Sequence, residues 1–250
     1  MADHEPSSID SGTKNWEIPT TFPNAEKNHD LKILFREGER MEQIINNELS
    51  KKNQPLVARG SHTWLLGYLS FLIKPGRGLQ KGDLNGLKIL DIGGGGYNPS
   101  ETIFGPDLSR SLAFFGADVT LVDPKSKKVD FTDEELERVT VRASTLQSYL
   151  ADPQKQPANI LVTSAFFGSE EGLRKDRSYI VGLLSRMATL APVQIHAIQT
   201  GDMLPGDFVS TPEIEKMGLV VKNNLNTTSQ HPMGMNPNLT VNFLVIDNRK

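Results

Sequence analysis

The chain has 250 residues, no cysteine and a formal net charge of −3. This length can bury one complete α/β core plus an extension, and the absence of cysteine excludes disulfides and thiolate chemistry. The N-terminus has no signal-peptide pattern, and the longest apolar run (Trp64–Ile73) is too short for a membrane span, so we expect a soluble cytoplasmic protein. The net charge gives no overall attraction to nucleic acid.

The first part of the chain predicts an arm followed by a helical cap. Residues 1–29 are polar, contain three prolines and show no periodicity, so we predict a mobile arm. Residues 30–82 predict the cap and its linker, with one helix ending near Lys52 and a second ending at Ile73, before a Pro-Gly pair. Gly38 lies in the middle of the first helix, where a glycine is expected to weaken it.

Three residues near the start of the second cap helix allow two interpretations. Arg59, His62 and Trp64 lie within six positions of one another. In the first interpretation they are a surface arginine, a solvated histidine and a core tryptophan. In the second they lie at the mouth of a pocket, where Arg59 is available to pair with a carboxylate.

The segment Leu87–Pro124 predicts the centre of the remaining domain, residues 83–250. A short apolar strand closed by Asp91 leads into four consecutive glycines, Gly93–Gly96, and then into a helix. A second strand follows and ends at Asp123. Glycines at such a turn let the backbone approach a ligand closely, beside the N-terminus of the next helix. The segment therefore predicts a nucleotide-binding half-fold.

Five more strands are predicted after this segment. They cover Arg138–Arg142, Ile160–Thr163, Val193–Gln199, Leu219–Leu225 and Leu239–Asp247, and a short helix capped by Thr211 precedes the last two. The loop 226–238 joins these last two strands without a helix, so they must pair antiparallel. We predict an α/β fold with a Rossmann-like, doubly wound, seven-stranded sheet. The sheet is mostly parallel with an antiparallel strand at its C-terminal end, and a helical cap precedes it.

With this strand order and glycine loop, residues 84–250 resemble the class I S-adenosylmethionine-dependent methyltransferases. The opening signature of that family, an apolar strand followed by acidic-x-Gly-x-Gly-x-Gly, appears as Ile89–Gly96, with Tyr97 in place of the third glycine. The resemblance implies that S-adenosylmethionine is the cofactor, that its methionine part lies at Asp91–Gly95, and that Asp123 accepts hydrogen bonds from its ribose. The residues that we assign to cofactor binding on this basis are Asp91, Gly93, Gly94, Gly95, Asp123, Pro124, Ser144, Thr145, Ser164 and, from the cap, Arg59.

Two departures from the family narrow the reaction. Ser144 and Thr145 stand where the family often has an acidic residue after the third strand, and Thr163–Phe166 stands where it often has an acid or Asn-Pro-Pro-Tyr. Without the acid after the third strand, a contact to the adenine is missing. Without Asn-Pro-Pro-Tyr after the fourth strand, methylation of exocyclic base amines or of glutamine amides is disfavoured. Without an acid there, so is the metal-dependent catechol type, which needs oxygen ligands. We therefore expect no metal site, and transfer to a small or medium organic acceptor.

Histidines are the candidate general bases. Methyl transfer from a sulfonium relies mainly on proximity and orientation, and a base is needed only when the acceptor holds a proton of high pKa. His62 in the cap and His231 in the loop before the last strand are the candidate catalytic residues. His196 lies inside the fifth strand and is expected to be a core residue.

Two other function classes remain open. A nicotinamide-dependent oxidoreductase also uses a glycine turn, but no register of G-x-G-x-x-G fits, because Asn98 and Pro99 occupy the sixth positions. A non-enzymatic binding or assembly protein with a methyltransferase-like fold is compatible with the missing acids. The sequence shows no platform of aromatic and basic residues for stacked bases, which argues against a nucleic-acid partner. The sequence predicts no oligomeric state.

Overall fold

The computed structural model of the chain describes residues 29–57, 61–74, 77–94, 106–128, 131–164, 177–200, 209–228 and 240–249. The strands in these ranges are β1 (Lys88–Ile92), β2 (Asp118–Val122), β3 (Val139–Arg142), β4 (Ile160–Ser164), β5 (Val193–Thr200), β6 (Val221–Thr228) and β7 (Thr240–Asp247). The helices are α1 (His29–Lys51), α2 (Ser61–Ile73), α3 (Asp107–Phe114), α4 (Asp133–Leu136), α5 (Leu146–Ala151), α6 (Arg177–Met187) and α7 (Thr211–Glu215).

All seven strands form one sheet, in the order β3-β2-β1-β4-β5-β7-β6. The first five strands pair parallel, and β7 runs antiparallel to both β5 and β6. The predicted fold class is therefore confirmed, including the antiparallel strand at the C-terminal end. The carboxyl ends of β1, β2 and β4 meet at one edge of the sheet, where ligands of open α/β sheets bind.

Helices cover both faces of the sheet. Successive strand residues point to opposite faces, so Ile89 belongs to a hydrophobic cluster that includes residues of α1, α2 and α3, whereas Leu90 belongs to a cluster that includes residues of α5, α6 and α7. The two cap helices share one continuous hydrophobic core with the sheet. Tyr68 of α2 stacks on Phe243 of β7, with the ring centroids 4.9 Å apart. The cap is therefore packed directly on the sheet face that carries Asp91.

Two glycines set the distance between the cap helices. A Cβ on Gly38 of α1 would overlap the carbonyl oxygen of Thr63, and a Cβ on Gly67 of α2 would overlap that of Leu34. Backbone therefore lies against backbone where the helices cross. Gly38, which was expected to weaken α1, therefore also makes this close approach possible.

Two other predictions near helices need correction. The N-cap of α7 is Ser210 rather than Thr211, because the carboxylate of Glu213 accepts hydrogen bonds from the Ser210 backbone N–H (2.8 Å) and hydroxyl (2.7 Å). Helix α5 was not predicted; it starts after Thr145, whose hydroxyl accepts a hydrogen bond from the Ser148 backbone N–H at 3.2 Å.

Two strand ends also differ from prediction. Asp91 does not close β1, because pairing with both neighbouring strands continues through Ile92. Strand β6 runs to Thr228, so the first residues of the predicted polar loop belong to the strand. Residues 1–28 of the predicted arm and residues 229–239 of the loop lie outside the described residues. No helix in the described part of the chain combines the length and apolar character needed to cross a membrane.

Candidate functional site

The carboxyl ends of β1 and β2 bring together four of the predicted cofactor-binding residues, Asp91, Gly93, Gly94 and Asp123. The two strands stay paired up to Ile92 and Val122, and the backbone N–H of Gly93 donates to the Val122 carbonyl at 2.9 Å. Gly93 has a φ of +74°, a conformation that other residues rarely adopt, so the chain turns away from the sheet there. Asp91 therefore lies immediately before the turn and Asp123 directly beside it.

Asp91 is the most perturbed acid of the site. Its side chain is fully buried, and Oδ2 accepts a hydrogen bond of 2.7 Å from the Ser109 hydroxyl of α3. Burial raises the pKa of Asp91 to about 7, and the charge of Asp123 also raises it, while the Ser109 hydrogen bond and the charge of His62 lower it. Its Oδ1 has no hydrogen-bond partner among the described residues. Such a buried acceptor indicates that a polar group from a ligand or water belongs there.

Gly94 leaves the space beside this carboxylate open. A Cβ at this position would overlap both carboxylate oxygens of Asp91. Glycine is therefore required here by the acid that precedes the turn. Asp91 and Gly94 therefore lie against each other at the turn, with no room for a side chain between them.

Asp123 is buried to a similar degree, with 7% of its surface exposed. Its Oδ1 accepts a hydrogen bond of 2.7 Å from the Lys125 backbone N–H, across a turn that includes Pro124. This bond fixes the carboxylate at the end of β2. Asp123 is close enough to Asp91 for its charge to raise the pKa of Asp91.

The cap contributes a second buried acid and the predicted histidine. His62 is 7% exposed and Glu42 of α1 is 2% exposed. Nε2 of His62 lies 3.1 Å from Oε1 of Glu42, which is an ion-pair distance, although the atoms are not aligned as a hydrogen bond. Glu42 Oε1 also accepts a hydrogen bond of 2.5 Å from the Thr63 hydroxyl. His62 is therefore not the solvated histidine of the first interpretation, while Trp64 is buried as that interpretation expects.

The remaining described candidates lie at the end of β4 and just after β3. Ser164 is buried and lies two residues after Val162, which pairs with Asp91. Ser164 and Asp91 therefore face the same side of the sheet. Ser144 is half-buried, and Thr145 is exposed and caps α5. Gly95, Arg59 and His231 lie outside the described residues.

His196 is a core residue, as predicted. It is fully buried, and burial lowers its pKa to about 3, so it is neutral at physiological pH. Its Nε2 lies 3.2 Å from Gln194 Oε1 and its Nδ1 lies 2.9 Å from the Thr163 hydroxyl. Because the Gln194 amide nitrogen donates to the Leu184 carbonyl, its Oε1 is the acceptor, and His196 carries its proton on Nε2.

Two residues of the site were missed by sequence reasoning. Ser109 has no sequence signal, because it reaches Asp91 only through the packing of α3 on β1. Glu42 has one: it lies seven residues after Phe35 and seven before Leu49, both of which are buried. A charged residue at that spacing lies on the apolar face of the helix and is therefore a candidate for a special role.

No family model matches the sequence, and neither does any curated protein. Solved structures to which the chain is similar include a candidate RNA methyltransferase from Pyrococcus horikoshii (19% identity, 68% of this chain and 79% of that chain, TM-score 0.42). They also include a TehB-like S-adenosylmethionine-dependent methyltransferase from Corynebacterium glutamicum (15% identity, 85% of this chain and 98% of that chain, TM-score 0.42).

The strand order itself decides the fold. The five parallel strands lie in the order 3-2-1-4-5, and the antiparallel seventh strand lies between the fifth and the sixth, in agreement with the predicted mostly parallel sheet with an antiparallel strand at its C-terminal end. A dinucleotide-binding sheet has the parallel order 3-2-1-4-5-6 instead. The described residues have the fold of the class I S-adenosylmethionine-dependent methyltransferases.

Proposed function

We propose that this protein is an S-adenosylmethionine-dependent methyltransferase that transfers a methyl group, without a metal ion, to a small or medium organic acceptor. The observation that carries this proposal is the Asp91 carboxylate. It is fully buried beside a glycine turn, one of its oxygens has no partner among the described residues, and Asp123 lies nearby. A buried, unpartnered acid needs a cationic or hydrogen-bond-donating ligand group.

The residues present fit this cofactor. S-adenosylmethionine, when bound, supplies a methyl group already activated on a sulfonium. Asp91 would attract the cationic methionine end, with Gly94 leaving the space beside it open. Asp123 would accept hydrogen bonds from the vicinal ribose hydroxyls, for which a carboxylate is suited.

His62 is the described residue that would move a proton. Its Nε2 would accept the proton that the acceptor loses, and Glu42 Oε1, 3.1 Å away, would stabilise the resulting imidazolium. Burial of both side chains keeps water away from this pair. The remaining work of the site is to bring the acceptor in line with the methyl group.

The acceptor class and the enzymatic function each have an alternative. One similar structure is described as a candidate RNA methyltransferase, so an RNA acceptor belongs in any screen. The non-enzymatic alternative is favoured by one observation after β3. Thr145 stands where the family often has an acid, and its hydroxyl caps α5, so no acid is supplied there to a cofactor. The fold would then serve binding alone.

Titration calorimetry tests the proposal. We expect S-adenosylmethionine and S-adenosylhomocysteine to bind and NADH to give no heat. The absence of heat with both adenosyl ligands would contradict a methyltransferase, and binding of NADH would favour an oxidoreductase. Binding followed by no labelled product from labelled S-adenosylmethionine, in a screen of small molecules and RNA, would favour the binding protein.

Asp123→Ala is expected to weaken binding of S-adenosylhomocysteine by on the order of 1–3 kcal/mol, because the ribose hydroxyls would lose their acceptor. Asp123→Asn is the matched variant, since its side-chain oxygen can still accept the bond from the Lys125 N–H. We expect it to weaken binding less than the alanine variant. Unchanged affinity in both variants would remove Asp123 from the cofactor site.

A further inference from the structure

Three buried side-chain atoms in the described ranges have no hydrogen-bond partner, and all three belong to one group of residues. They are Glu42 Oε2, His62 Nε2 and Asp91 Oδ1. These residues, which we name the cap cluster, join the first cap helix, the second cap helix and the central strand. Glu42 and His62 lie 3.1 Å apart, and the charge of His62 acts on Asp91. Buried polar atoms are nearly always paired in folded proteins, so three unpaired atoms on these neighbouring groups indicate a missing partner.

Among the described residues, the cap cluster has one group that can carry positive charge, the imidazole of His62. This imidazole stands beside two carboxylates, and the described charges that act on Asp91 are those of Asp123 and His62. No lysine or arginine of the described chain forms an ion pair with Glu42 or Asp91. One imidazole cannot compensate two buried carboxylates, and uncompensated buried charge is costly, so the partner that fits here is a cation that donates hydrogen bonds.

We propose that Glu42 and His62 bind the ammonium group of the methyl acceptor, and that the acceptor is therefore a primary or secondary amine. This inference rests on the methyltransferase function proposed above. An ammonium group has several N–H donors and a positive charge, and the cap cluster offers carboxylate and imidazole acceptors. An alcohol or a carboxylic acid would bring no positive charge to the two carboxylates, which share the single imidazole of His62.

The same residues prepare the amine for reaction. An ammonium nitrogen has no free electron pair, so it must first lose a proton, which His62 Nε2 accepts. The resulting imidazolium faces Glu42 Oε1 at 3.1 Å. The freed electron pair of the amine forms the new C–N bond while the C–S bond of the donor breaks. The electron pair of that bond stays on sulfur, which becomes a neutral thioether, and the methylated nitrogen carries the positive charge.

An ammonium group could reach the cap cluster from two sources. One is the acceptor, and the other is the amino-acid end of S-adenosylmethionine, which also lies at Asp91 if the cofactor binds as proposed. S-adenosylhomocysteine carries the same amino-acid end. A protein saturated with it therefore has the second source in place, and any remaining ammonium site belongs to the acceptor.

Thermal unfolding with small cations tests the inference. Methylammonium is the smallest primary ammonium, and tetramethylammonium has the same charge without N–H donors. With the protein saturated in S-adenosylhomocysteine, we expect methylammonium chloride at about ten times its dissociation constant to raise Tm by roughly 3–6 °C over an equal concentration of tetramethylammonium chloride. Equal effects of the two cations would overturn the inference. So would an effect that disappears when S-adenosylhomocysteine is bound, because the site would then belong to the cofactor.

Two variants of α1 complete the test. Glu42→Gln removes the charge but keeps an acceptor for the Thr63 hydroxyl, and we expect it to abolish the methylammonium effect while S-adenosylhomocysteine affinity stays within twofold. Glu48→Gln removes an equal charge from an exposed side chain of the same helix and should keep the effect. A methylammonium effect that persists in Glu42→Gln would overturn the inference. Failure of S-adenosylhomocysteine to bind the unmodified protein would instead contradict the proposed function.

Discussion

Replacing Gly67 with alanine is expected to lower the free energy of unfolding by roughly 2–4 kcal/mol. The new Cβ would overlap the backbone carbonyl of Leu34 in α1, and backbone cannot move aside as a flexible side chain can. The two cap helices would have to separate, and the buried contacts between Phe35 and Trp64, whose ring centroids lie 4.7 Å apart, would loosen. Urea unfolding of the two proteins measures the difference.

Gly182→Ala provides the matched control. Gly182 also lies inside a helix, α6, but no atom lies within 4 Å of the position that its Cβ would occupy. Alanine is the better helix former by about 1 kcal/mol, so this variant should be neutral or slightly more stable than the original protein. Equal effects of the two substitutions would show that the helix crossing does not depend on close backbone contact.

The crossing also has a consequence for the cap cluster. Gly38 lies against Thr63, which neighbours His62 and donates its hydroxyl to Glu42. A wider separation of α1 from α2 would therefore draw Glu42 away from His62. We expect Gly67→Ala to reduce the methylammonium effect as well as stability, whereas a destabilising change elsewhere in the core would reduce stability alone.

The sheet could be predicted from the sequence because its signals are local. One continuous segment contains the first two apolar strands, the glycine turn and the acids Asp91 and Asp123. The antiparallel end of the sheet follows from the missing crossover helix between the last two strands. The end of β1 at Ile92 was harder to predict, because it is decided by hydrogen bonding with β2 and β4 and not by the residue type. Helix α5 has only six residues, too few for a clear periodic pattern.

The candidate site was predictable only in part. Strand ends of a parallel sheet must meet at one edge, so Asp91 and Asp123 could be placed together before the structure was known. The contacts of Ser109 and Glu42 depend on how α3 and α1 pack, and no spacing along the chain reports that. Gly38 shows the same limit, since its use in the crossing depends on a residue 25 positions away, Thr63.

Asp91→Asn is expected to stabilise the protein at pH 8 and to weaken its cofactor binding. The folded pKa of Asp91 is about 7, above its ordinary 3.8, so between these pH values the folded state holds a proton that the unfolded state has lost. Stability from this group is fully present below pH 4 and is lost as pH rises through 7, by roughly 4 kcal/mol at most. Asparagine carries no charge at any pH and can still accept the Ser109 hydroxyl.

The stabilisation by Asp91→Asn should therefore grow from near zero at pH 4 to a few kcal/mol at pH 8, as measured by urea unfolding. Asp118→Asn, in the exposed start of β2, should change stability by less than about 0.5 kcal/mol at both pH values. A pH-independent difference for Asp91→Asn would contradict a buried, titrating acid. Because a cationic ligand favours the ionised form of Asp91, we also expect S-adenosylmethionine to bind the original protein more tightly as pH rises from 6 to 8, and Asp91→Asn to lose this dependence. The acid that costs the free protein stability would then be the one that draws its cofactor into the site.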